Sequence, residues 1–456
     1  MNTLHAAHAL LPTGWQANVR LTLADGRIAT LQAGVPAEAG DVRTGPLLPG
    51  MPNLHSHAHQ RGMAGLAEHR GPGSDSFWSW REAMYRFALA MSPEQLEAVA
   101  TMAYVEMLEA GFTRVGEFHY LHHDRDGAPY ANPAEMATRL AAAAAHSGIA
   151  LTLLPVFYAH GGFGGQPAGA AQRRFVNTLD GYARLLEASR AALQPLPGAV
   201  LGVAPHSLRA VTPEELQAVV ALAGHAPIHL HIAEQTQEVD DCLAWSGARP
   251  VQWLLDHAPV DARWCAVHAT HLTADESRRL AASGAVAGLC PITEANLGDG
   301  IFDAPPYVAA GGRWGIGSDS NVQIGVADEL RLLEYSQRLA RRERNVMAPA
   351  AGGSTGRTLF DAARNGGQAT LLGGTALASH GLVAGAPADL VSLDATHPAL
   401  AGREADAWLD AWIFTGAALV DGVWVAGRAC VRQGRHLQRD AAAQAFVATL
   451  AALRQA

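Results

Sequence analysis

A chain of 456 residues, 49% hydrophobic and 16% charged, can bury a large core and carry a smaller domain beside it. Its net charge of -9 leaves no basic field for a nucleic-acid backbone, and no apolar run reaches the roughly 18 residues that span a bilayer, so neither nucleic acid nor a membrane is an expected partner. All 33 basic residues are arginine, which excludes Schiff-base catalysis, pyridoxal-phosphate attachment, a P-loop lysine and a carbamylated lysine bridging two metals.

The first residues, Met1 to His5, lack the charged-then-apolar pattern of a signal peptide, so a cytoplasmic location is expected. Cys242, Cys265, Cys290 and Cys430 lie far apart and read as reduced, buried thiols, with no zinc-ribbon or disulfide spacing. Strand-like segments at residues 19–23 and 28–31 flank a hairpin turn at Asp25-Gly26. Matching material returns at residues 388–393 and 417–432, with a second Asp-Gly pair at Asp421-Gly422. Both ends are therefore expected to build one small β-sandwich domain, residues 1–48 and 376–456, around an inserted unit, residues 49–375.

The inserted unit alternates short apolar runs with capped helices, which is the pattern of β/α repeats. Capping boxes are read at Ser92, Asn132, Thr212 and Thr273, each with Glu or Gln three residues on. Three of them carry proline at the first helical position, and Gly111, Gly148 and Gly224 read as helix stops. Eight strands are expected to end near His57, Tyr120, His160, His206, Glu234, His268, Thr293 and Asp319. The expected fold class is α/β, a (β/α)8 TIM barrel, whose active site sits at the C-terminal ends of its strands.

The chemistry gathers at those ends. His55 and His57 are two apart on a strand and face the same side, where both can reach one ion; taken singly, they read equally well as polar residues at a loop mouth. In residues 228–234, His231 is the better ligand and His229 the deeper, hydrogen-bonded core histidine. His268 ends the sixth strand, and Asp319 follows the eighth among small residues that keep the backbone compact. Three histidines and a carboxylate suit one divalent ion such as Zn2+ or Fe2+ rather than Mg2+ or Ca2+. A catalytic zinc lowers the pKa of its water to about 7.

With the split β domain and the closing strand at residues 423–428, these residues resemble the amidohydrolase superfamily, in its single-metal aminohydrolase branch, over essentially the whole chain. The resemblance implies His55, His57, His231 and Asp319 as ligands, Glu234 and His268 as proton-handling residues, and a homodimer. Residues 49–61, 75–85, 117–120 and 204–211 are most similar to deiminases of that branch that hydrolyse a linear formimidoyl group. His59 stands where that pattern has an aromatic such as phenylalanine, a change expected at the pocket's edge and not in the metal shell.

Such a substrate is a small dicarboxylate with an amidine-like carbon, and its pocket needs two cationic anchors, for which arginine is suited. Arg209, just after His206, and Arg81, in an aromatic loop able to form a lid, are the expected anchors, although a surface salt bridge would also explain Arg81. Gln60, Tyr120 and His206 are the expected hydrogen-bonding partners. Trp78 and Trp80 read as core packing with a share in the pocket, and His119, His122, His123 and His160 as solvated or structural. Metal-activated water, oriented by Asp319 and His268, would attack the formimidoyl carbon, with Glu234 relaying protons to the departing ammonia. The alternatives are an aminohydrolase acting on a purine, pterin or guanidino acid and, ranked well below, a catalytically dead scaffold, which would have lost ligands.

Overall fold

The computed structural model describes residues 2–70, 77–348, 351–373 and 381–454. Asp75 and Ser76 of the aromatic motif, the expected boundary between residues 375 and 376, and the side chain of Trp78 lie outside them.

Strands from the two ends of the chain pair into one nine-stranded sheet among the described residues. Leu47–Pro49 is its pivot: Leu47 pairs in parallel with Ala9, and the same strand runs antiparallel to Leu390–Leu393. One residue later the chain enters the first barrel strand, Met51–Ser56. Leu4, Ala6, Val19, Leu21, Ile28, Leu47 and Leu390 form a core for this sheet. The hairpin at Asp25-Gly26 is as expected, with φ of 49° and 75°, but Asp421-Gly422 is not a turn and lies inside Val420–Val425. The reversal falls at Ala426-Gly427, where Ala426 N donates to Asp389 Oδ1 at 2.8 Å and holds a positive φ. A first strand, Asn2–Leu11, escaped the sequence reading because its alanines and histidines carry little β propensity.

Eight parallel strand positions close the barrel: Met51–Ser56, Phe112–His119, Ala150–Phe157, a broken fourth made of Val200–Leu201 and Ala204–Pro205, Ile228–Ile232, Trp264–His268, Val286–Leu289 and Arg313–Ile316. Single bridges, Val203 to Ile228 and Ser56 to Asp319, join its two halves. The third strand stops at Phe157, and His160 belongs to a short hairpin, Nε2 facing Glu215 Oε2 at 2.9 Å. The seventh stops at Leu289, because Pro291 at a helix N-terminus starts Pro291–Leu297 and takes Thr293 into it. The capping boxes at Ser92, Thr212 and Thr273 are present. Asn132 instead accepts from Ala134 N at 3.0 Å in a local turn, and the helix begins at Glu135.

The seam between the last and first strands is the tightest place in the barrel. A Cβ on Gly317 would meet His55 O at 2.7 Å and His55 N at 2.9 Å, so only glycine lets the two backbones close. A buried polar ladder then spans it. Asn53 Nδ2 donates to Ser318 Oγ at 2.6 Å and its Oδ1 accepts from Ser318 N at 3.0 Å. Ser318 Oγ donates to Asn321 Oδ1, and Asn321 Nδ2 to Ser56 Oγ and His57 O. Asn53, Ser56, Ser318 and Asn321 have no exposed surface, so a broken rung leaves buried groups unpaired. Asn53→Ala should lower the free energy of unfolding by about 2–4 kcal/mol in a urea titration followed by circular dichroism; an unchanged midpoint and slope would contradict this reading of the seam.

Candidate active site

The C-terminal ends of the strands are locally strained. Ala233, His268, Ala269, Asp319 and Asn321 all take positive φ, between 42° and 67°, without being glycine. Cross-strand hydrogen bonds hold them there: Asp319 N donates to His55 O at 3.0 Å, His57 N to Asp319 O at 2.9 Å, and Ala269 N to Ile232 O at 3.0 Å. The strain turns side chains of neighbouring strands toward one point.

At that point His55 Nε2 lies 3.2 Å from His57 Nε2 and 3.0 Å from His231 Nε2. Asp319 Oδ1 is 3.4 Å from His55 Nε2 and 3.3 Å from His57 Nε2. His57 Nδ1 donates to Phe118 O at 2.8 Å and His231 Nδ1 to His206 O at 3.1 Å, which leaves their Nε2 atoms as lone pairs. Burial holds all three imidazoles below their ordinary pKa, hence neutral. For Asp319 burial pulls the other way, yet the imidazoles around it, His55 foremost, hold its carboxyl below the usual range. Lone pairs and a carboxylate facing one another 3.0–3.4 Å apart repel unless a cation lies between them. Separations of this size are those of ligand atoms each about 2 Å from a shared ion. The donor set therefore fits one divalent metal, and the four residues form a buried group able to hold it.

Beside this group the electrostatics reverse. His268 Nε2 faces Glu234 Oε1 at 3.7 Å and Asp319 Oδ2 at 3.8 Å, while its Nδ1 faces Glu294 Oε1 at 3.4 Å. Burial alone would lower its pKa; the surrounding carboxylates, Glu234 foremost, raise it. Burial also raises the Glu234 carboxyl. Asp299, which accepts a hydrogen bond from Gln235 Nε2, is raised too, first by burial and then by the charge of Glu234.

Over both groups lies a pocket of about 600 Å³, mouth included, whose wall takes in every expected substrate residue: Gln60, Arg81, Tyr120, His206 and Arg209. Gln60 Nε2 donates to the Tyr120 hydroxyl at 2.8 Å, and Gln60 Oε1 is buried with no partner among the described residues. Arg209 is half-buried, and nearby Glu238 and Glu234 hold its pKa up against burial. Arg81 is not on a loop: it sits on the helix Phe77–Ala90, its guanidinium 5.5 Å from the centroid of the Tyr85 ring. The apolar spacing Trp80, Met84, Phe87, Ala88 is helical, a signal that the aromatic richness masked. Met84, Tyr85, Tyr158, Phe175 and Leu297 also line the pocket and were not anticipated. Tyr85 follows from Arg81 at i+4 once the helix is read, and Tyr158 directly follows the third strand; nothing in the sequence marks Phe175.

Other histidines fall where expected. His229 Nε2 meets Thr370 Oγ1 at 3.2 Å, His122 Nε2 meets Val156 O and His123 Nε2 meets Val176 O. His59 departs from the expectation of a pocket edge. It is 3% exposed, absent from the pocket wall, and lies edge-on to the Tyr120 ring at 5.0 Å, so it supports the pocket from below.

The model of the amidohydrolase family matches residues 47–430, and that of the formimidoylglutamate deiminase HutF N-terminal domain matches residues 1–45. A formimidoylglutamate deiminase of Pseudomonas aeruginosa is 53% identical over 457 residues, 99% of this chain and 100% of that one. The crystal structure of an amidohydrolase from Brucella melitensis is 59% identical, covers both chains completely and superposes with a TM-score of 0.96. More distant is a 5-methylthioadenosine/S-adenosylhomocysteine deaminase of Nitratidesulfovibrio vulgaris, 28% identical over 83% of this chain and 80% of its own.

Removing one donor should empty the buried group. His231→Ala is expected to bind its ion at least about 100-fold more weakly, read as metal stoichiometry by elemental analysis after purification without chelator; full metal content in that variant would remove His231 from the ligand set.

Proposed function

The chain belongs to the amidohydrolase family, and from that premise we propose that it hydrolyses N-formimidoyl-L-glutamate to N-formyl-L-glutamate and ammonia, a step of histidine degradation. The observation that carries the proposal is the full-length likeness to a formimidoylglutamate deiminase. The pocket agrees with it on chemical grounds: two guanidiniums, Arg81 and Arg209, stand on the wall of a cavity that opens onto the buried histidines. A substrate with two carboxylates and one amidine carbon needs that division, and arginine offers forked donors to each carboxylate.

His55, His57, His231 and Asp319 would hold one divalent ion, with zinc the choice for three imidazoles and a carboxylate. When bound, the ion supplies Lewis acidity and makes hydroxide available near neutral pH. The chain's own residues do the rest. Arg209 and Arg81 bind the carboxylates, and Gln60 Oε1 accepts an amidine N–H, which gives that buried oxygen its partner. Glu234 takes the proton of the attacking water, its raised pKa matching it to proton transfer near neutral pH. A C–O bond forms at the formimidoyl carbon, which becomes tetrahedral. His268 Nε2–H stabilises the charge on its oxygen, and Asp319 Oδ2 shares in orienting the water. Glu234 then returns that proton to the nitrogen and relays to it the remaining hydroxyl proton of the tetrahedral carbon, the C–N bond breaks, ammonia leaves, and the formyl C=O forms. Trp80, Met84 and Phe175 wall the pocket and limit water. A homodimer, a cytoplasmic location and a β domain of residues 1–48 and 376–456 beside the barrel of residues 49–375 belong to the same proposal. No helix among the described residues is long and apolar enough to cross a membrane.

An ammonia-release assay tests the reading. Formimidoylglutamate should be turned over well ahead of guanine and N-guanidino-glutarate; preference for either of those would replace it with another aminohydrolase activity, and no turnover of any substrate by metal-replete protein would favour a scaffold. Glu234→Gln should keep its metal and lose a factor of about 10² or more in kcat, so full activity would remove Glu234 from proton transfer. Arg209→Gln should raise KM by about 10-fold or more with formimidoylglutamate; an unchanged KM would place the carboxylates elsewhere.

A further inference from the structure

Arg174 has no exposed surface, yet its hydrogen bonds go to carbonyl oxygens and one phenol. Nη1 donates to Ala88 O at 2.7 Å and to Met91 O at 2.8 Å, and Nε donates to His123 O at 2.7 Å. Nη2 reaches the Tyr130 hydroxyl at 3.4 Å, which itself donates to Asp124 Oδ1 at 3.2 Å. Ala88 belongs to the last turn of the helix Phe77–Ala90, where carbonyls have no partner within the helix. That turn holds no basic residue of its own. Arg174 therefore supplies, from a distant segment, both the missing donors and the positive charge that a helix C-terminus favours. The next residue grips the same helix: the Phe175 ring lies 5.6 Å from that of Tyr85 and 5.0 Å from that of Tyr120. Arg81, whose guanidinium lies over the Tyr85 ring, stands two helical turns, about 10 Å, before Ala88. Arg81, Tyr85 and Ala88 follow one another at helical spacing on one face.

We propose that Arg174 is a positioning residue for the substrate: by tying the end of the helix Phe77–Ala90 to the segment after the second barrel strand, it fixes where Arg81 presents its guanidinium to a carboxylate of formimidoylglutamate. The inference rests on the reaction proposed above, with Arg81 as an anchor in it. The helix brings Trp80, Arg81, Met84 and Tyr85 to the pocket wall, and no strand pairing sets its angle. The clamp has a firm base, because Arg174 O accepts from His122 N at 2.9 Å and from His123 N at 3.0 Å, just beyond Tyr120 of the same wall. A forked contact between arginine and carboxylate depends on geometry, and a displacement of about 1 Å is enough to weaken it. An arginine that only held the core together would lower stability without singling out a substrate contact. One that positions the helix changes KM, and does so through Arg81.

The test uses the metal-loaded full chain. Arg174→Lys keeps a positive charge and loses the fork that reaches His123 O and the helix-end carbonyls together. Expected is a KM for formimidoylglutamate about 5- to 20-fold higher, with kcat within about threefold and metal content unchanged. A smaller rise in KM would overturn the proposal, as would a loss confined to kcat or explained by lost metal. Arg81→Gln and the double variant complete a cycle: added to Arg81→Gln, Arg174→Lys should raise KM by no more than about twofold further, and any larger rise would show that it does not act through Arg81. A third readout needs no variant to fold. In wild-type protein, hydrogen exchange of the amides of residues 88–91 should stay within about threefold when N-formyl-L-glutamate is added, because the helix end is already held; a larger slowing would mean that the ligand sets it, and would overturn the proposal. Wild-type protein without turnover would strike the deimination reading itself, whereas active wild type with a KM unmoved by Arg174→Lys would strike only Arg174.

Discussion

The rest of the structure depends on the closure of the last barrel strand against the first. His57 N donates to Asp319 O and Asp319 N to His55 O, so the bonds that close the ring run through the backbones of three of the four residues able to hold a metal. Closure and ligand geometry are one constraint. A displacement along the seam would separate His55 from Asp319 and unpair Asn53, Ser318 and Asn321 together. Gly317 is what permits it, since any side chain there would collide with His55.

That closure carries a local cost. Five non-glycine residues at the ends of three strands hold positive φ, and buried imidazole lone pairs face one another across about 3 Å. Neither is a stable arrangement by itself. Cross-strand hydrogen bonds over-determine the strained backbones, and a bound cation turns the mutual repulsion of the donors into shared attraction. A few ångströms away the same burial serves a different end. Around His55, His57 and His231 it keeps imidazoles neutral, as metal binding requires; around His268 the carboxylates outweigh it and favour the charged ring. Two adjacent histidine environments of opposite character are what a metal-assisted hydrolysis needs, one for the ion and one for the proton.

The buried group able to hold a metal is the most legible part of the site. His55 and His57 share a strand face by periodicity alone, and His231, His268 and Asp319 each stand where a strand runs out. The pocket wall was legible only in part. Arg209 and Gln60 flank motif residues, whereas Arg81 reads as a loop residue although it stands on a helix, because tryptophans and phenylalanine in Phe77–Ala90 obscure the i, i+4 spacing. Phe175 and Leu297 reach the pocket from segments with no periodic signal, and Glu294 and Asp299 look in sequence like ordinary acidic residues of a helix and the loop after it. In the small sheet, Asp421-Gly422 resembles a turn by composition, but pairing of Gly422 with Ser392 and of Val423 with Val391 draws it into a strand and moves the reversal to Ala426-Gly427.

The sequence by itself determined the class of fold, the residue types of the metal group and the chemistry they support, because strand periodicity, capping patterns and side-chain chemistry are local properties that survive without a partner. Absence of lysine likewise excludes whole mechanisms on composition alone. Tertiary structure alone decided which carboxylate stands behind His268, which aromatic rings wall the pocket, and that His59 lies beneath the pocket instead of at its edge. Those facts depend on contacts between segments far apart in the chain. Asn53 and Ser318, separated by 265 positions, set the seam that puts the ligands in reach of one another, and no local pattern encodes such a meeting.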